Sequence, residues 1–293
     1  MKWRVHGWLL LVISLFLVTG LLTACAQSAP PGPDQPGDEE NTPPQEITAI
    51  GALTDVNFAF AIANQDGDQL LIAQPSGDAA TIDDFDLAIN GGEQLAIGYL
   101  GRQLENEQNS NRETADNFAN MPGYLYGVNS GAAVANQTYL LCTASDGLPD
   151  SLLKRVETVG LTTDEKVRIA EQKQRGVQSA ATLASFEDGT EVLFVLFEPD
   201  GANLLFSIVI KTDDSLDFYD YPAVLASNSA WRVDDGGVAD PAWFNVLLGV
   251  NTQQGRGFII NWIGAEGENT VYLLDQEGVI SEAQLYYRYW SPA

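Results

Sequence analysis

Short apolar runs that alternate with Asp-Gly or Glu-Gly pairs constrain the fold of this chain more than any other feature. Glycine tolerates a positive φ and aspartate bonds the turn backbone locally, so each pair between two apolar runs predicts a tight β-hairpin. The segment 244–290 alone contains enough such runs for four consecutive strands. We therefore predict a mostly β protein of the α+β class, built from antiparallel, hairpin-rich sheets. The pairs that carry this prediction are Asp66-Gly67, Asp188-Gly189, Asp200-Gly201 and Glu277-Gly278.

One segment between the strand-like runs has the signals of a helix instead. Thr162 is a suitable N-cap, and Glu165 stands three residues later, which is the spacing of a capping box. Gly176 is expected to end this helix. A shorter helix is predicted to begin at Pro149-Asp150 and to continue through SLLKRVE. The chain should thus contain one or two helices around 150–176.

Two hairpin segments have similar sequences. Phe60–Ala73 aligns without gaps with Phe194–Ser207, and Phe, Asp-Gly and Leu-Leu coincide. One interpretation is a duplication, with related β-rich halves at 47–148 and 180–293. The other is a single continuous globular β-rich domain over 47–293, in which hairpins have converged on the same residues.

The N-terminus has the three parts of an export signal. Lys2 and Arg4 precede an apolar run from Trp8 to Leu22, which is too short for a comfortable membrane span. The run ends in Leu22-Thr23-Ala24-Cys25, which resembles the lipobox of bacterial lipoproteins. That resemblance implies a signal peptide over 1–24, cleavage by signal peptidase II, and a thioether-linked diacylglycerol on Cys25.

The residues after Cys25 predict a spacer. Segment 25–46 is rich in Pro, Gly and acid and lacks hydrophobic periodicity, so we expect a disordered tether. The resemblance then implies a protein that is held by its N-terminal lipid on the cell membrane or the outer membrane. Its domain would face the extracytoplasmic side of the cell envelope.

Composition excludes several functions. The net charge of −26 argues against nucleic acid as a partner, because like charges repel. The only histidine is His6 in the leader, so a processed protein has no imidazole for Ser-His-Asp catalysis or for zinc. Cys142 lies in the apolar run TYLLCTA, which predicts a buried, inert thiol.

Other motifs give weak chemical signals. Ser151-Leu152-Leu153-Lys154 matches the S-x-x-K pattern of penicillin-recognising enzymes, but the other elements of that family fail. Paired carboxylates are numerous, and no sequence feature selects one pair for a hydrolase. Asp-rich loops such as NQDGDQ at 64–69 supply oxygen ligands that suit Ca²⁺, yet none matches an EF-hand. We expect no cofactor, with Ca²⁺ as the one candidate.

Aromatic residues are concentrated in the C-terminal third. Trp231, Trp243 and Trp262 are candidates for stacking on a ligand, although strands of a core also place aromatic residues inward. We predict a non-catalytic binding or accessory lipoprotein whose partner is an envelope protein, a glycan or a small solute. The alternative is a histidine-free hydrolase of cell-wall or sugar substrates that uses paired carboxylates.

Overall fold

Three antiparallel sheets make up the fold, as the hairpin signals predict. The computed structural model describes residues 57–73, 82–146 and 148–290. All of them belong to one compact unit, Pro43–Ala293. The signal peptide, Cys25 and the tether lie outside the described residues. Every strand pairing in the described part is antiparallel.

The first sheet is a closed six-stranded barrel with the strand order β1-β2-β5-β4-β3-β6. Pairing of β1 with β6 closes it, and Phe60 lies opposite Leu140. Its core cluster combines small, aliphatic and aromatic side chains, among them Ala61, Ala88 and Tyr126. Its strands are β1 (Phe58–Ala63), β2 (Gln69–Ile72), β3 (Leu87–Asn90), β4 (Glu93–Gln103), β5 (Gly123–Val128) and β6 (Thr138–Cys142).

The rest of the chain forms two open sheets. The outer sheet has the order β11-β10-β9-β8-β7, and the central sheet is the simple meander β12-β13-β14-β15. The outer strands are β7 (Arg155–Val156), β8 (Val177–Phe186), β9 (Glu191–Phe197), β10 (Asn203–Lys211) and β11 (Leu216–Val224). The central strands are β12 (Phe244–Asn251), β13 (Arg256–Ile263), β14 (Gly267–Gln276) and β15 (Val279–Tyr289).

Strands β12, β13 and β14 of the central sheet are buried on both faces. One face packs on the outer sheet, with Phe258 and Ile260 against residues such as Phe194. The other face packs on the barrel, with Ile259 and Tyr272 in the cluster that contains Cys142. Strands covered on both sides need continuous apolar runs, which explains the sequences FNVLLGVN and RGFIINWI.

The helices follow the predictions with changes at their ends. Helix α1 (Leu148–Ser151) is a single turn and does not continue through Glu157, because the chain passes into strand β7. Helix α2 (Thr163–Lys173) has the complete capping box at Thr162, and it ends at a left-handed Gln174 rather than at Gly176. It covers the outer sheet through Ile169, which is fully buried.

The two similar hairpins differ in register. Ile62 pairs with Leu71 in the barrel. Leu196, the residue aligned with Ile62, pairs with Phe206 and not with Leu205. The hairpins thus share their turn residues but are offset by one residue, and the duplication stays a prediction.

Candidate functional site

Polar residues connect the barrel to one end of the central sheet. Arg288 on β15 donates from Nη1 to the carbonyl oxygen of Asn136 at 2.8 Å. The hydroxyl of Thr138, at the start of β6, donates to the carboxylate of Glu268 on β14. The backbone N–H of Glu113 donates to the carbonyl oxygen of Tyr289 at 2.7 Å. Barrel loops and the C-terminal hairpin therefore meet through hydrogen bonds at this end.

A cavity of about 320 Å³ lies at this junction, and we call it the interface cavity. Barrel loop residues form one side of its lining, and strands β12 to β15 with the short 3-10 helix Pro241–Trp243 form the rest. Its lining combines two tryptophans, one ion pair and several side-chain amides. The polar and aromatic members are Asn136, Gln137, Thr138, Trp243, Phe244, Asn245, Asn261, Glu268, Arg288 and Trp290.

The ion pair of the interface cavity is buried. Glu268 and Arg288 lie opposite each other on β14 and β15, and their side chains are 3.6 Å apart. Only 2% of the Arg288 surface is exposed, and its Nε has no hydrogen-bond partner among the described residues. Burial raises the pKa of Glu268, while the Arg288 charge and the Thr138 hydroxyl act in the opposite direction. A buried guanidinium with an unused donor is costly unless another group satisfies it.

Unused hydrogen-bonding atoms occur on other residues of this lining too. Asn90, which is buried, donates to the carbonyl oxygen of the Gln137 side chain at 2.9 Å and accepts from Asn245 at 3.0 Å. Among the described residues, the Gln137 side-chain NH₂ and the Asn245 side-chain oxygen make no further hydrogen bond. Asn261 accepts from Thr270 at 2.9 Å, and its NH₂ has no hydrogen-bond partner within the described part of the chain. Side chains that offer both donors and acceptors suit a ligand that carries hydroxyl groups.

Of the three tryptophans singled out from the sequence, Trp243 lines the interface cavity. The Arg232 guanidinium lies 4.6 Å from the centre of its ring. Trp231 and Trp262 instead contact the aromatic cluster around Phe206, at 5.1 and 6.1 Å between ring centres. Those two rings therefore serve mainly to pack the outer sheet against the central sheet.

The sequence pattern includes Trp290 among the aromatic residues of the C-terminal third, but it does not single out Glu268 or Arg288. Trp290 lines the interface cavity, and the Arg288 guanidinium lies 4.8 Å from its ring centre. The alternation in QLYYRYW does place Tyr286, Arg288 and Trp290 on one face. Aromatic residues on both faces of this strand indicate that one of the faces meets protein and not water.

A second cavity, which we call the acidic cavity, has about 480 Å³. Asp217 and Asp275 are its paired carboxylates. Burial, and then the charge of Asp217, raises the pKa of Asp275. None of its described lining residues is aromatic, so it lacks a stacking surface. Its lining is Ser215, Asp217, Asn251, Thr252, Gly255, Arg256, Asp275, Glu277 and Gly278.

The remaining sequence motifs have structural roles. Cys142 is fully buried and forms no disulfide within the described part of the chain. Lys154 of the S-x-x-K pattern is exposed and bonds Glu187 at 2.6 Å. In the loop NQDGDQ, the side chain of Asn64 bonds Asp68, which holds the turn. Over residues 57–73, 82–146 and 148–290, no three metal-ligating side chains are grouped to hold an ion.

No protein-family model, curated protein or solved structure matches this chain. In the described ranges, no helix has both the length and the apolar character that crossing a bilayer requires. A function for this chain is therefore inferred from the chemistry of the interface cavity.

Proposed function

We propose that this protein is a lipid-anchored, extracytoplasmic binding protein whose interface cavity takes a neutral, hydroxyl-rich ligand such as a sugar unit. The observation that carries the proposal is the buried Arg288–Glu268 pair beside Trp243 and Trp290, with the Nε of Arg288 unpaired among the described residues. Vicinal hydroxyls can accept from the guanidinium and donate to the carboxylate. The indole rings provide flat apolar surfaces for the other face of a sugar ring.

Charge and size support this choice of ligand. The protein carries a net charge of −26, which disfavours anionic ligands. The cavity of about 320 Å³ is at the lower end of the size range of small-molecule sites, which is about 300–1,000 Å³. It suits one sugar ring better than a large cofactor.

The test is isothermal titration with neutral sugars. Trp243→Ala should weaken binding about tenfold or more, because the stacking surface is lost. Glu282→Gln is the matched control, since this half-buried carboxylate bonds Tyr221 outside the cavity. Unchanged affinity in a folded Trp243→Ala protein, shown by an unaltered thermal transition, would contradict the proposal.

The lipid anchor needs a separate test, because its prediction rests on the leader and the tether and not on the interface cavity. Palmitate should label the wild-type protein in cells and should fail to label Cys25→Ala. Equal labelling of the two proteins would end the lipoprotein hypothesis.

A hydrolase remains the second candidate, and the acidic cavity is the observation that favours it. Asp275, whose pKa burial raises, matches a general acid, and Asp217 is the second carboxylate that such a mechanism needs. If this cavity hydrolyses glycosides, Asp275→Asn and Asp217→Asn should each lower kcat about a hundredfold or more. Activity that survives in both variants would exclude this cavity as the active site.

A further inference from the structure

A third cavity borders the interface cavity. It has about 500 Å³, and we call it the amide cavity because five of its lining residues carry side-chain amides. Asn136 and Trp290 line both cavities. The two spaces are therefore neighbours that share one tryptophan and one asparagine. The amide residues are Gln65, Gln108, Asn117, Asn120 and Asn136.

Part of the lining of the amide cavity is held in place by its own hydrogen bonds. The Asn117 side chain donates to the carbonyl oxygen of Arg112 at 2.8 Å and accepts from the backbone N–H of Ser110 at 3.1 Å. Only 5% of its surface is exposed. A preorganised lining loses little conformational entropy when a ligand binds.

The shared residue Asn136 is fixed from both sides. Its backbone is left-handed, with φ of 61°, and its side chain accepts from the backbone N–H of Ala115 at 3.0 Å. Its carbonyl oxygen accepts from Arg288. This residue, which lines both cavities, thus bonds Arg288 of the ion pair on one side and the 3-10 helix Ala115–Asn120 of the amide cavity on the other.

Two residues of the amide cavity have unused side chains. Gln65 and Gln108 are exposed, and their side-chain amides make no hydrogen bond to any described residue. The lining also contains one cation, Arg112, and one anion, Asp116. Donors and acceptors without an excess of either charge suit a neutral polar chain.

We infer that the ligand is a linear chain of at least two neutral sugar units, which extends from the interface cavity past Trp290 into the amide cavity. This rests on the proposed function, because the first unit occupies the site described there. The first unit binds at Arg288 and Glu268, and the next unit binds among the side-chain amides.

The experiment compares chain lengths by isothermal titration of the full protein. The probes are glucose and N-acetylglucosamine with their linear trimers. At least one trimer should bind about tenfold more tightly than its monomer, since it contacts both cavities. The double variant Gln65→Ala/Gln108→Ala should bind that trimer only as tightly as the monomer and should bind the monomer normally.

The control is Gln94→Ala, which removes an exposed glutamine of β4 that lines neither cavity and should change neither affinity. Equal affinity for monomer and trimer, or a double variant that keeps the full trimer affinity, would overturn the chain-length inference alone. Failure of every probe to bind would overturn the proposed function together with it.

Discussion

At the residue scale, Glu165 shows how one carboxylate secures a whole helix. It accepts from the backbone N–H of Thr162 at 2.7 Å, which closes the capping box, and it also bonds Lys211 of the outer sheet. The hydrogen bond from Lys211, and then that from Thr162, lowers the pKa of Glu165 to about 2. Lys211 in turn bonds Glu191 at 2.6 Å. One side chain therefore caps the helix and fastens it to the sheet.

Glu165→Ala should lower the free energy of unfolding by about 1–2 kcal/mol at neutral pH, because the cap and a partly exposed ion pair are lost. A lowered folded-state pKa gives stability above the ordinary glutamate pKa of 4.5, and this stability is lost as the pH falls towards 2. The difference between wild type and variant should therefore shrink between pH 5 and pH 2. Urea unfolding followed by circular dichroism measures it.

Asp164→Ala is the control for that prediction. Asp164 lies in the same helical turn and is exposed. It should change stability much less than Glu165→Ala does. A Glu165→Ala deficit of constant size across this range would contradict the role assigned to the carboxylate.

Residues also show where sequence reasoning ends. The capping box was predictable because Thr162 and Glu165 are three positions apart. The pair of Glu268 and Arg288 was not, since it depends on strand register and on the barrel loop at 136–138 that covers it. The spacing of residues along the chain does not reveal which side chains a distant loop covers.

At the element scale, hairpins were predicted well and sheet order was not. Turn residues identify paired strands that are consecutive in the chain, such as β9 and β10, because the turn itself specifies the pairing. Closure of the barrel by β1 and β6 joins segments about 80 residues apart, and no turn encodes it. The helix at Pro149 was predicted too long for the same reason, since its end depends on the pairing of β7 with β8.

Two glycines at equivalent hairpin positions give a matched test. Gly67 has φ of 72°, and an added Cβ would lie 2.1 Å from the carbonyl oxygen of Ala133. Gly201 has φ of 62° and open space around it. Gly201→Ala should cost about 1 kcal/mol for the left-handed backbone, while Gly67→Ala should cost more than about 2 kcal/mol. Equal losses in thermal unfolding would show that contact with Ala133 does not matter.

At the scale of the whole molecule, the central sheet couples the barrel to the outer sheet. Neighbouring residues of β13 face opposite ways: Ile259 packs towards the barrel and Ile260 towards the outer sheet. The presence of both cores could be expected from the apolar composition. The sequence does not reveal which sheet lies in the middle, because a continuous apolar run also occurs in β9 of the outer sheet.

Ile259→Ala and Ile260→Ala should each lower the free energy of unfolding by about 2–5 kcal/mol, since each leaves a cavity in a packed core. Both should shift a single transition, because the cores share one sheet. Tryptophan fluorescence reports the C-terminal sheets, where the described tryptophans lie, and far-ultraviolet circular dichroism reports the whole protein. Separate midpoints from the two probes would show that the cores unfold independently.

The position of the central sheet in the chain has a consequence for biogenesis. Its strands come after those of the barrel and the outer sheet, from Phe244 onward. A polypeptide that emerges from its N-terminus first must therefore keep two apolar surfaces uncovered until its last strands arrive. The strands of the barrel and of the outer sheet can form hairpins during synthesis. The sheet that covers both of their apolar surfaces is the central meander, which is made later. Premature termination upstream of β12 would thus yield an aggregation-prone product rather than a smaller working protein.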